Sequence, residues 1–195
     1  MRKTKVIAFT ALMAALSNVL AVLSVTVAPG VTVHFFQVAV FLCGILASPL
    51  AGLIGGTIGS LYMSFLSPTA IPFIVGGIAI LGGACGLFAR KVRPLFAGIL
   101  AWIVQAPYVV LTDYVWFVGF KFLPSTVAWA RITTILGLLT IEAVVSAILA
   151  EIVIHYLKKS RNLTAIIKES FYFCIRFGSY KSHRSMKFKP AFRSL

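Results

Sequence analysis

Three charged side chains, Arg131, Glu142 and Glu151, stand inside a largely apolar run from Val127 to Leu157. A charge near the middle of a bilayer costs about 2.5–3.5 kcal/mol even on the lenient insertion scale, so such a group usually faces a cavity or a partner. Arg131 and Glu142 are eleven residues apart. At roughly 100° per residue that spacing returns them to nearly the same helix face, about 16 Å apart along the axis. The distance excludes a direct ion pair and suits the two ends of one polar pocket: a guanidinium fork for an anionic or carbonyl group, a carboxylate for donors. The structural alternative is an Arg that snorkels to the interface and a Glu hydrogen-bonded between helices. Either way the chemistry is recognition. There is no HExxH, HxxxH or GxxxxGK[ST] motif, and no nucleophile has an evident base partner. His34, His155 and His183 lie in three separate segments, and Cys43, Cys85 and Cys174 show no CxxC spacing. Neither a metal site nor a disulfide framework is indicated. The expectation is a protein that is not an enzyme and uses no cofactor.

The elements that carry these residues belong in a membrane. Of the 195 residues 60% are hydrophobic and 11% charged, and the mean hydropathy is +1.01. That composition describes one polytopic membrane domain. A net charge of +14 on a soluble domain would point to nucleic acid. Here the basic residues fall between and after apolar runs, as topology signals do. Met1 to Lys5 precedes 23 uncharged residues, Val6–Ala28, longer than the apolar core of a signal peptide, so they are taken as an uncleaved first helix. From Pro29 to Leu66 there is no charge, and Ser48-Pro49 divides that run into spans Val31–Ala47 and Leu50–Leu66. A fourth span is Phe73–Ala89, and a fifth begins at Pro94 and ends near Leu111. Thr112 to Thr126 is expected to be a mixed loop. Pro124-Ser125-Thr126 then starts the sixth span, Val127–Leu157, which Lys158-Lys159-Ser160-Arg161 stops.

The fold class predicted is therefore all-α: a compact bundle of six transmembrane helices with both termini cytoplasmic. Arg2, Lys3, Lys5, Arg90, Lys91, Arg93, Lys158, Lys159 and Arg161 lie on the terminal side, and Lys121 alone on the other, a nine-to-one split that the positive-inside rule converts into orientation. Residues 1–161 form the membrane domain. Residues 162–177 alternate apolar and charged side chains at helical spacing, the pattern of an interfacial amphipathic helix. Residues 178–195 are basic and poor in aliphatics, hence expected to be disordered and attracted to anionic lipid. Gly52-xxx-Gly56, Gly55-xxx-Gly59 and Gly82-xxx-Gly86 let helix backbones approach closely. Ala11-xxx-Ala15, with Asn18 beyond it, is either internal packing or a docking face for another membrane protein.

Six spans, an AxxxA in the first helix and Phe41–Gly59 (FLCGILASPLAGLIGGTIG) together resemble a known family. It is the substrate-binding S component of energy-coupling factor (ECF) vitamin transporters, and the resemblance covers about Lys3 to Lys159. It implies a subunit that captures a vitamin or related micronutrient, with a transmembrane coupling subunit and two ATPase subunits as partners. It also implies a ligand on the outer side among the fourth to sixth helices, covered by Pro29–His34 and Ser67–Pro72. The walls it implies are Gln105, Tyr108, Asp113, Tyr114, Trp116, Trp129, Arg131 and Glu142, and Ala11 and Ala15 become the docking face. Aromatic faces beside a few directional polar groups suit a flat heterocycle. The same aromatics alone would make an interfacial belt. The rival function is a standalone proton-coupled carrier or channel using Glu142.

Overall fold

The computed structural model describes residues 3–28, 31–66 and 73–159. The expected cover at Ser67–Pro72, the interfacial helix at 162–177 and the tail at 178–195 lie outside the described residues. The first helix, α1, runs Lys3–Val22 and stops six residues before the end of the apolar run. A β-hairpin comes next, β1 (Ser24–Ala28) and β2 (Val31–His34), paired antiparallel with Ser24 opposite His34 and Val25 opposite Val33. This corrects the first two spans expected from hydropathy, Val6–Ala28 and Val31–Ala47. Apolar character alone cannot separate strand from helix. The alternation Ser-Val-Thr-Val and Val-Thr-Val around Pro29-Gly30 can, because β-branched residues favour the pleated chain and Pro-Gly a reversal.

The second helix is consequently short. α2 (Phe36–Leu46) has 11 residues, and Phe36 to Gly44 are all buried. The break at Ser48-Pro49 is where sequence places it. Ser48 Oγ accepts the Ala51 N–H at 3.0 Å and Pro49 opens α3 (Pro49–Leu66), a serine N-cap followed by proline at the first helical position. α4 (Ile74–Phe88) packs on α2 and α3 with backbones in contact: a Cβ on Gly52 would overlap the Gly82 carbonyl oxygen, and one on Gly82 the Gly52 carbonyl oxygen. On the other side of α3, a Cβ on Gly59 would come within 2.7 Å of the Ser17 side chain, which seats α1. Thr10, Ala14, Ser17 and Ala21 make the buried face of α1, while Ala11 and Ala15 are exposed.

α5 (Pro94–Tyr114) contains Pro107 and continues without a loop into a π-helical turn, Val115–Phe120. The expected loop at Thr112–Thr126 is therefore largely helical. The Lys121 N–H donates to the Trp116 carbonyl, five residues back, at 3.0 Å, and Phe122 reverses the chain with φ 53°. α6 spans Ser125–Lys159, 35 residues, about 52 Å at 1.5 Å per residue. Among the described residues six α-helices thus form a bundle whose core centres on Phe41, Ile78, Leu81 and Cys85. Among the described residues three segments, Thr4–Val22, Pro94–Phe120 and Ser125–Leu157, are long and apolar enough to cross a membrane, and α2, α4 and most of α3 are shorter apolar helices.

Candidate ligand-binding site

The antiparallel pair α5 and α6 sets the levels at which polar groups meet. Near one end, the Leu95 N–H donates to Glu151 Oε2 at 2.9 Å, and a Cβ on Gly98 would come within 2.8 Å of the Ala147 Cβ. Continued along the helices, this register brings Gln105 close to the level of Glu142. Gln105, on α5, also packs against α4, its Nε2 3.1 Å from where a Cβ on Gly77 would stand. From α2, Gln37 Nε2 donates to Glu142 Oε2 in a long bond of 3.4 Å. Gln37, Gln105 and Glu142 thus form one buried polar layer, about a turn from the enclosed ring of Phe41.

Glu142 is held on two sides, since its Oε1 also accepts the peptide N–H of His34 at 2.7 Å. The His34 Nδ1 lies 3.1 Å from the Ala21 carbonyl oxygen in the last turn of α1. That oxygen can only accept, so Nδ1 carries the proton in this contact. Glu142 therefore meets the hairpin and α2, not Arg131. Arg131 is exposed, its guanidinium 5.9 Å from the centre of the Phe117 ring. The common face inferred for the two charges holds along the helix, but only Glu142 reaches the enclosed part of the bundle.

The remaining residues expected at the site lie along α5, on the π-helical turn that follows it and at the start of α6. Asp113 is 4% exposed and Gln105 2%; both are on the face of α5 that carries Val109. Tyr114 and Trp129 stack at 5.5 Å between ring centres, Trp116 lies 5.5 Å from Phe120, and Lys121 Nζ is 5.6 Å from the Trp116 ring. Trp129 is about half exposed. Tyr108 lies lower, its ring against Gly76 and Gly77 and its hydroxyl donating to the Phe73 carbonyl at 3.2 Å. The eight residues thus fall into an inner layer (Gln105, Tyr108, Glu142) and an outer aromatic group (Asp113, Tyr114, Trp116, Trp129, Arg131).

Among the described residues, five buried polar atoms have no hydrogen-bond partner: Asn18 Oδ1, Gln37 Oε1, Gln105 Oε1, Asp113 Oδ2 and Ser146 Oγ. A buried polar group left unpaired costs about 1–3 kcal/mol, so this set marks where a ligand or water would be accommodated. Two of them, Gln37 and Ser146, are not picked out by the sequence reasoning above. Gln37 had a signal, being the one side-chain amide in the uncharged run from Pro29 to Leu66. Among the described residues no group of three or more His, Cys, Asp or Glu side chains could hold a metal. The profile of the ECF-type riboflavin transporter S component family matches residues 1–159. No curated protein matches the sequence.

Proposed function

Since this chain belongs to the ECF-type riboflavin transporter S component family, and so is a membrane subunit that captures a vitamin for uptake with an ECF module, we propose that its own ligand is riboflavin. The family is a transporter family, not an enzyme family. One observation carries the choice of ligand. Gln105 Oε1 and Asp113 Oδ2 are buried, unpartnered among the described residues, and share one face of α5. Eight residues of helix separate them, about 12 Å. A ligand with two polar ends fits that arrangement. The pyrimidine edge of a flavin offers an N–H to the inner amide layer, and the ribityl hydroxyls offer donors to a group that only accepts. Tyr114 and Trp116, just beyond Asp113, and Trp129 beside Tyr114 supply aromatic faces at that end of the site.

In this arrangement six helices cross the bilayer with both termini cytoplasmic. The basic clusters at Arg90–Arg93 and Lys158–Arg161 lie inside, and the hairpin and the π-helical turn outside. Ala11 and Ala15 are exposed on α1, away from its packed face, and serve as the face for a transmembrane coupling subunit that works with two ATPase subunits. Small side chains there allow close helix approach.

The test is a titration of the purified protein with riboflavin, monitored by quenching of flavin fluorescence. Saturable binding is expected. Gln105→Leu should weaken it by about tenfold, the worth of one hydrogen bond to a buried group. No saturable binding, with a different molecule retained through purification and identified by mass spectrometry, overturns riboflavin.

A further inference from the structure

We propose that Glu142 is a positioning residue: it does not touch the vitamin but holds the β1–β2 hairpin down against α2 and α6, so that loosening its grip speeds ligand release. What the hairpin covers rests on the capture reading above; how it is held does not. The Glu142 carboxylate takes the His34 N–H at 2.7 Å, a length typical of a charge-assisted bond. His34 is the last residue of β2 and pairs with Ser24, the first of β1, so this bond fastens the base of the hairpin. Its ring fastens the same point to α1 through the Ala21 carbonyl. The second carboxylate oxygen takes Gln37 Nε2 in the first turn of α2.

The carboxylate also lies where a helix calls for one. Phe35, the residue before α2, makes no side-chain capping bond. The first N–H groups of a helix carry a partial positive charge, and an anion beside them is stabilised. Glu142, on α6, brings its carboxylate to this end of α2 through the His34 N–H just before the helix and the Gln37 side chain within its first turn, not through the helix's own N–H groups. A buried carboxylate so occupied is a strut between elements. Removing it takes from the His34 N–H and the Gln37 amide the acceptor they share, at the point where the hairpin meets the polar layer. The base of the hairpin then loses its tie to α6.

The experiment uses the full chain in nanodiscs with riboflavin as the probe. A nitroxide on Val25, which is 52% exposed on β1, reports hairpin motion without ligand. Stopped-flow fluorescence reports riboflavin association and dissociation. Glu142→Ala should increase nitroxide mobility and raise the dissociation rate about ten- to hundredfold, the usual worth of a hydrogen bond to a charged group, with association unchanged or faster. Glu142→Gln keeps the volume and one acceptor, so both effects should be smaller. It also serves if the alanine variant does not fold. The exchange Gln37→Glu with Glu142→Gln restores the bond pair and should return nitroxide mobility without ligand to near the wild-type value, a coupling that an unspecific loss of stability would not show. Unaltered nitroxide mobility and dissociation in Glu142→Gln and Glu142→Ala overturn the proposal. So does an affinity loss carried by slower association, which would make Glu142 a ligand contact. A wild-type protein that binds no riboflavin overturns the flavin assignment instead, and the nitroxide comparison then judges the strut by itself.

Discussion

Glu151 and Gln105 are both polar residues facing the interior of the α5–α6 pair, yet they are expected to answer substitution in opposite ways. Glu151 Oε2 accepts the Leu95 N–H, one of the first donors of α5, which its own helix cannot satisfy. Glu151→Ala should therefore lower stability by about 1 kcal/mol, as for a lost N-cap, seen as a lower melting temperature, and leave riboflavin affinity unchanged. Gln105→Leu removes a buried acceptor that has no protein partner among the described residues, so thermal stability should hold or rise while affinity falls. Differential scanning and a riboflavin titration on the two variants check both. A shared pattern would mean that the two residues do the same job. At this scale sequence is a partial guide. It picks Gln105, Asp113 and Glu142 by type, and all three are buried. It cannot tell that Glu142 faces a strand end while Arg131 turns to Phe117, because a helical period gives direction and not neighbours. Nor does it single out Gln37, which reaches Glu142 from a helix 105 residues away.

Among the elements, α2, α3 and α4 are joined backbone to backbone, and α6 touches its neighbours through side chains over much of its length. Gly82→Ala would drive a methyl group into the Gly52 carbonyl, a contact neither helix can yield without moving apart. A loss of about 1–3 kcal/mol or more is expected, seen as a lower melting temperature. Gly137 on α6 has nothing within 4 Å of its Cβ position, and Gly137→Ala should be neutral or stabilising by up to about 1 kcal/mol through helix propensity. Comparable losses at both positions would refute this account of the packing. The glycine spacings are legible in sequence, as are the starts of α3 and α5 and the C-terminal ends of α4 and α6, since Ser48-Pro49, Pro94 and the basic clusters are unambiguous punctuation. The hairpin and the π-helical turn are not. Leu23 to Ala28 is uncharged and apolar enough to extend the first span, because hydropathy counts lipid affinity and ignores β-branching. The stretch Thr112–Phe120 resembles a loop because aromatics and an Asp interrupt its apolar run, although neither breaks a helix.

For the molecule as a whole, the proposed orientation has a direct check. A reporter inserted at Arg90–Arg93 should behave as cytoplasmic and one near Lys121 as external; a reversed pattern would remove the assignment of inside and outside. Ala11→Trp or Ala15→Trp should abolish uptake and leave riboflavin affinity nearly unchanged, because both side chains point away from the packed face of α1. A parallel fall in affinity would show that this face belongs to the fold. The shortness of α2 bears, finally, on how the protein is made. Eleven residues rise about 16 Å, against roughly 30 Å of hydrocarbon, and nine of them are enclosed by other helices. Such a segment has neither the length to be taken into the bilayer alone nor a surface for lipid to hold. During synthesis it has no stable place until α3 and α4 emerge to surround it, so the uncharged stretch from Pro29 to Leu66 must be integrated late and together. A nascent chain in which Ala47 has just left the ribosome is expected to leave α2 accessible to water-soluble thiol reagents at Cys43, and one exposed past Phe88 to have closed over it.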